Sequence, residues 1–213
     1  MFIHLPRLIS RWSRTHGRAL ACIGGVGISR YATAVSYTML PVAAALLYGE
    51  WWAGVFLGAF NFFQAFIGDP IAGNLADRIG SKIVVLIGIG FVAVAGILWF
   101  FIPLNNLVAL SVFAALVFLG FSFRDESLAY LLRVSGRQEG GLIFGFAENV
   151  YAVAHLLAAL SVPYMVAGGR SMLMALIMIS SSVFAFFILS RLPNDLATAS
   201  VKGIKQSFNP LVV

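Results

Sequence analysis

Long apolar runs separated by short polar connections set the pattern of this chain. Six of these runs, at residues 19–48, 51–76, 82–102, 107–132, 142–167 and 171–192, reach the roughly 20 residues an α-helix needs to cross a bilayer. Several exceed that length, which predicts tilting or extension beyond the lipid. The period-two alternation of a membrane β-barrel is absent from the sequence, so each run is read as a helix that satisfies its own backbone. The predicted fold is an all-α membrane protein with six transmembrane helices over residues 19–192. A basic arm (residues 1–18) precedes the bundle, and a polar, small-residue tail or linker (residues 193–213) follows it.

Polar positions within this pattern give orientation. The connections after the first, third and fifth runs carry Arg170 as their one Lys or Arg. The other side holds Arg7, Arg11, Arg14, Arg18, Arg78, Lys82, Arg133, Arg137, Arg191, Lys202 and Lys205. This asymmetry places both termini in the cytoplasm, as an even number of spans requires, and the expected location is the cell (inner) membrane. Arg7, Arg11, Arg14 and Arg18 recur every three or four residues and share one helical face, with Phe2, Leu5, Ile9 and Trp12 on another. That spacing predicts an interfacial helix on the cytoplasmic leaflet; a disordered basic arm is the alternative. The segment is not a signal peptide, because the apolar run after it is too long and no cleavage site is evident.

Composition excludes a soluble class. The chain is 61% hydrophobic and 10% charged, against about 45–50% and 25% for soluble domains. No single core of this length could hide that much apolar surface. The net charge of +6 is spread over helix ends and does not form a nucleic-acid patch. Cys22 allows no internal disulfide, and His4, His16 and His155 have no metal-ligand spacing, so no metal or cofactor is expected. A P-loop, a dinucleotide fingerprint and a hydrolytic triad are also missing, which argues against an enzyme.

The connection between the second and third runs reads Gly73-Asn74-Leu75-Ala76-Asp77-Arg78-Ile79-Gly80-Ser81-Lys82. Gly73 allows close helix approach, and Gly80 permits a tight turn. Asp77 is an anion at a helix end, with Arg78 and Lys82 able to pair with it. The segment resembles the signature of the major facilitator superfamily, matches all of its specified positions, and lies in the loop where that family carries it. The resemblance covers the six runs and corresponds to the amino-terminal six-helix half of the family fold. That fold has two six-helix halves, with the solute site between them near the midplane. It implies that Asp77, Arg78 and Lys82, with Gly73, Gly80 and Asp69, belong to a gating latch against the other half. It also implies that spans one and four line a solute path and that spans two and five meet the other half. A working transporter then needs a second copy of this chain or a complementary six-helix subunit.

Ionisable residues inside apolar runs are costly, at about 2.5–3.5 kcal/mol each on insertion scales, and usually face a cavity or one another. The candidates for solute binding or proton coupling are Arg30, Arg124, Asp125, Glu126, Glu148 and His155. Glu148 and His155 are seven residues apart and share a helix face. Arg124 could simply neutralise Asp125 or Glu126, Asp69 could satisfy a kink at Pro70, and His155 could be a packing residue. Gly54 with Gly58 and Gly141 with Gly145 are small-xxx-small pairs for helix contact, either within the chain or with a partner. The expected function is a half-size secondary transporter working by alternating access, with the cavity arginines favouring an anionic small solute. The alternative is a non-transporting scaffold or assembly subunit. A further expectation is that the chain is the front half of a longer transporter.

Overall fold

The computed structural model describes residues 17–102, 106–126, 130, 140–167 and 171–192. Within them lie helices α1 (Gly17–Tyr48), α2 (Glu50–Ile79), α3 (Ser81–Phe101), α4 (Leu107–Asp125), α5 (Gly140–Ala167) and α6 (Ser171–Ser190). All six contain segments long and apolar enough to cross a membrane, and the protein is a multi-pass membrane protein. The ends agree with the apolar runs to within a few residues, except that α4 ends at Asp125. The expected arm helix, the tail, Arg133, Arg137 and Arg170 lie outside the described residues.

The exterior is apolar. Leu46, Trp51, Phe101 and Val108 are each about three-quarters exposed, a surface that water would penalise at ~25 cal/mol per Å² and that lipid accepts. Small residues and a few large ones fill the interior. Cys22, Val26, Val85 and Ala185 are buried at one level, with Leu40, Val92, Leu110 and Val117 at another. Three hydroxyls inside α1 are absorbed by the preceding turn. Thr33 donates to Ser29 O at 2.9 Å, Ser36 to Ala32 O at 3.0 Å and Thr38 to Ala34 O at 2.8 Å. A backbone carbonyl one turn back thus satisfies these hydroxyls inside an apolar helix.

Packing follows a repeated scheme. α1 packs on α2, α5 and α6 and touches α4, while α3 packs on α4 and α6 and α2 lies along α4. The contacts α1·α6 and α3·α4, and α1·α5 and α2·α4, exchange when α1–α3 are swapped for α4–α6, whereas the α1·α2 contact has no counterpart between α4 and α5 among the described residues.

Two local features position the site. The α2–α3 connection is Gly80 alone, at φ +95°, with its N–H on Ala76 O at 2.9 Å. A side chain is disfavoured at that φ, so the turn needs glycine. Inside α2, residues Gln64–Gly68 form a π-helical turn in which the Asp69 N–H reaches Gln64 O. Pro70 follows and has no N–H to continue the α pattern. The wider turn absorbs that loss and re-aims the rest of α2.

Candidate functional site

The site begins with a close helix crossing. A Cβ on Gly88 of α3 would stand 2.7 Å from the Arg124 backbone N and 3.0 Å from Gly120 O; one on Gly120 would stand 3.0 Å from Gly88 O. Only glycines allow α3 and α4 to meet this closely. The crossing fixes the backbone at Arg124, the largest fully buried side chain of the described residues.

Arg124 reaches across to α1. Its Nη1 donates to Thr33 Oγ1 at 2.5 Å, and its Nη2 lies 3.3 Å from Asp125 Oδ1. Thr33 can accept because its own proton goes to Ser29 O. Arg30, three residues earlier on the same face of α1, donates from Nη2 to the same Asp125 oxygen at 2.9 Å. One carboxylate oxygen therefore holds two guanidiniums from different helices. Aromatic faces complete the enclosure: Arg30 lies 4.0 Å from the Tyr151 ring centroid on α5, and Arg124 lies 4.5 Å from that of Phe121. Such contacts favour a cation more strongly when water is excluded.

The other candidates fall around this cluster. His155, one turn beyond Tyr151, lies within electrostatic reach of Arg124, Arg30 and Asp125. Glu148 is half-buried on the same helix, and among the described residues no hydrogen bond or ion pair joins it to the cluster. Asp69 on α2 lies against Ser122 of α4 and senses Asp125. Glu126 approaches Gly73, its Oε1 3.7 Å from where a Cβ would sit. Asp77 and Arg78 are exposed at the end of α2. Thr33, Tyr151 and Phe121 are additions to the sequence reading; the i, i+3 spacing of Thr33 from Arg30 was the available signal. Among the described residues no group of three His, Cys, Asp or Glu side chains could hold a metal ion.

Lys82 is buried and donates from Nζ to Ser190 O at 3.0 Å and to Leu192 O. It thus caps the carbonyls that end α6, groups with no partner inside their own helix. Replacing Lys82 with methionine keeps most of the apolar stem and removes the donors. The expected result is at least tenfold faster amide exchange over residues 188–192 with the rest of the bundle unchanged, checked by hydrogen–deuterium exchange.

No protein-family model, curated protein or solved structure matches this chain.

Proposed function

We propose that the protein is one half of an alternating-access solute transporter of the major facilitator type, completed by a second copy or by a complementary six-helix subunit. The observation that carries this reading is the Arg30–Asp125–Arg124 cluster. Ionised groups deep among membrane helices cost too much to be kept for anchoring, and they mark solute or ion paths. Here they join α1 to α4, the first helices of the two triplets.

Three further features support it. Among the described residues the contacts α1·α6 and α3·α4, and α1·α5 and α2·α4, exchange when the triplets are swapped, a partial match to the inverted 3+3 repeat within each half of such transporters. The Gly73–Lys82 signature sits at the one-residue turn between α2 and α3. Among the described residues, a Cβ at Gly54 or Gly58 on α2 or at Gly145 on α5 would meet no atom within 4 Å, which leaves these small-residue positions open to a partner. A groove of about 410 Å³ on α2, bordered by Phe66, Pro70, Asn74 and Arg78, offers a seat for a helix of the missing half beside the signature.

The test uses the protein purified with its natural partners. Native mass spectrometry is expected to find paired six-helix subunits. In vesicles, uptake across a panel of labelled small solutes should identify a flux that Arg30→Gln lowers at least tenfold without changing the pairing. A solitary chain that moves solute refutes the half-transporter reading. An intact assembly with no flux, or with flux indifferent to Arg30, favours a scaffold.

A further inference from the structure

Arg30 and Asp125 use only part of their hydrogen-bonding capacity on one another. Arg30 donates from Nη2 to Asp125 Oδ1 at 2.9 Å, and the Tyr151 ring lies 4.0 Å from the guanidinium centre. Its Nη1 makes no hydrogen bond among the described residues, and its Nε is buried without a partner. Asp125 is in the same state. Both guanidiniums reach Oδ1, and Oδ2 accepts no hydrogen bond among the described residues. An arginine has more donors, and a carboxylate more acceptor sites, than this one contact uses.

These two groups are also the ones that can be reached. Arg124 is fully buried, with Nη1 on Thr33 and Nη2 on Asp125. The Arg30 side chain is 12% exposed and that of Asp125 is 32% exposed. Nearby, Asp69 on α2 is exposed and His155 on α5 is half-buried, each within electrostatic reach of Asp125. Ionised side chains on membrane-spanning helices are not turned to hydrocarbon, so this side of the bundle faces water or a partner. It presents a positive and a negative group in contact. Coulomb attraction falls only as the inverse of distance. An anion drawn to Arg30 is therefore opposed by Asp125, only 2.9 Å from it, and a cation drawn to Asp125 is opposed by Arg30. A solute with both signs on neighbouring atoms meets both groups favourably.

We infer that Arg30 and Asp125 together recognise a small zwitterion of the α-amino-acid class. Its carboxylate takes the free donors of Arg30, and its ammonium takes Oδ2 of Asp125. Bound in this way the four charges alternate in sign, and the contacts are charge-assisted hydrogen bonds. The inference deepens the transporter reading by naming the solute class and rests on that reading for its purpose. It replaces the anionic solute expected from the arginines alone, because the carboxylate that holds them is more exposed than either.

The experiment is equilibrium binding by calorimetry on the protein purified with its natural partners, in lipid nanodiscs. The probes are alanine, propionate (alanine without its ammonium) and ethylamine (alanine without its carboxylate). Saturable binding of alanine is expected, with propionate and ethylamine at least tenfold weaker. Arg30→Gln should weaken alanine binding at least tenfold. Glu50→Gln, at the exposed start of α2, should leave it unchanged. Thermal unfolding shows whether each variant is folded; if Arg30→Gln is not, the three probes on the unaltered protein decide the matter. No saturable alanine binding, propionate or ethylamine binding as tightly as alanine, or full alanine affinity in folded Arg30→Gln overturns the inference. Binding needs no flux, so alanine binding without transport of any solute removes only the transporter reading. Flux of a singly charged solute that alanine does not inhibit removes only this one.

Discussion

Asparagine at position 125 is expected to destabilise the bundle by about 3 kcal/mol, the lower end of the range for breaking a buried ion pair. The lower end applies because the Asp125 side chain is 32% exposed and water can partly replace its charge. The cost remains large because Arg124 has no such access. With the carboxylate neutralised, two guanidiniums face each other across α1 and α4 with only Thr33 and two aromatic rings to receive them. A reversible denaturant titration of the purified protein in mixed micelles measures this directly. The ion pair also predicts non-additivity. Arg30→Gln combined with Asp125→Asn should cost at least ~1 kcal/mol less than the sum of the single changes, the coupling typical of residues in contact. Additive costs would show that the 2.9 Å contact between Arg30 and Asp125 carries no energy.

That contact shows how far the sequence was readable. Hydropathy located the spans because lipid imposes a length and a composition that no local preference can override. The Gly80 turn was legible because positive φ is a local demand. The choice of charges was also legible: Arg30, Arg124 and Asp125 stood out as ionisable residues inside apolar runs. Their partners did not, because Arg30 and Asp125 are 95 residues apart and helix periodicity fixes a face without naming the helix it meets. Lys82 makes the same point more sharply. Sequence proximity suggested Asp77 as a partner but gave no sign that its Nζ donates to carbonyls 108 and 110 residues away at the end of α6. Glu148 shares a helix face with His155, but Tyr151, between them along α5, meets Arg30 and occupies the place beside the cluster. The glycines were ambiguous for a different reason. A small-xxx-small pair signals close approach to something, and only the fold separates Gly88 and Gly120, which meet another helix, from Gly54 and Gly58, which meet no other described residue within 4 Å of a Cβ position.

This separation yields the second large effect. Alanine at Gly88 places a methyl 2.7 Å from the Arg124 backbone N and 2.9 Å from Phe123 Cβ. Neither neighbour is the free end of a flexible side chain, so the helices themselves must part. Overpacking of this kind costs about 1–3 kcal/mol and sometimes more, and the upper end is expected because α3 and α4 share one of the most extensive interfaces in the bundle. The shift also withdraws Arg124 from Thr33, so Gly88→Val should fail to yield a folded protein. Alanine at Gly58 meets no atom within 4 Å and is expected to leave the unfolding midpoint unchanged, since it replaces one lipid- or partner-facing position with a slightly larger one. Tryptophan at Gly58 then separates the two possibilities for that face. If a second subunit packs there, native mass spectrometry will show lost pairing with the individual bundle still stable. If pairing persists with tryptophan in place, the face is covered by lipid and the partner must meet the bundle elsewhere. Equal destabilisation by Gly58→Ala and Gly88→Ala would contradict the distinction between inward and outward glycines on which both readings depend.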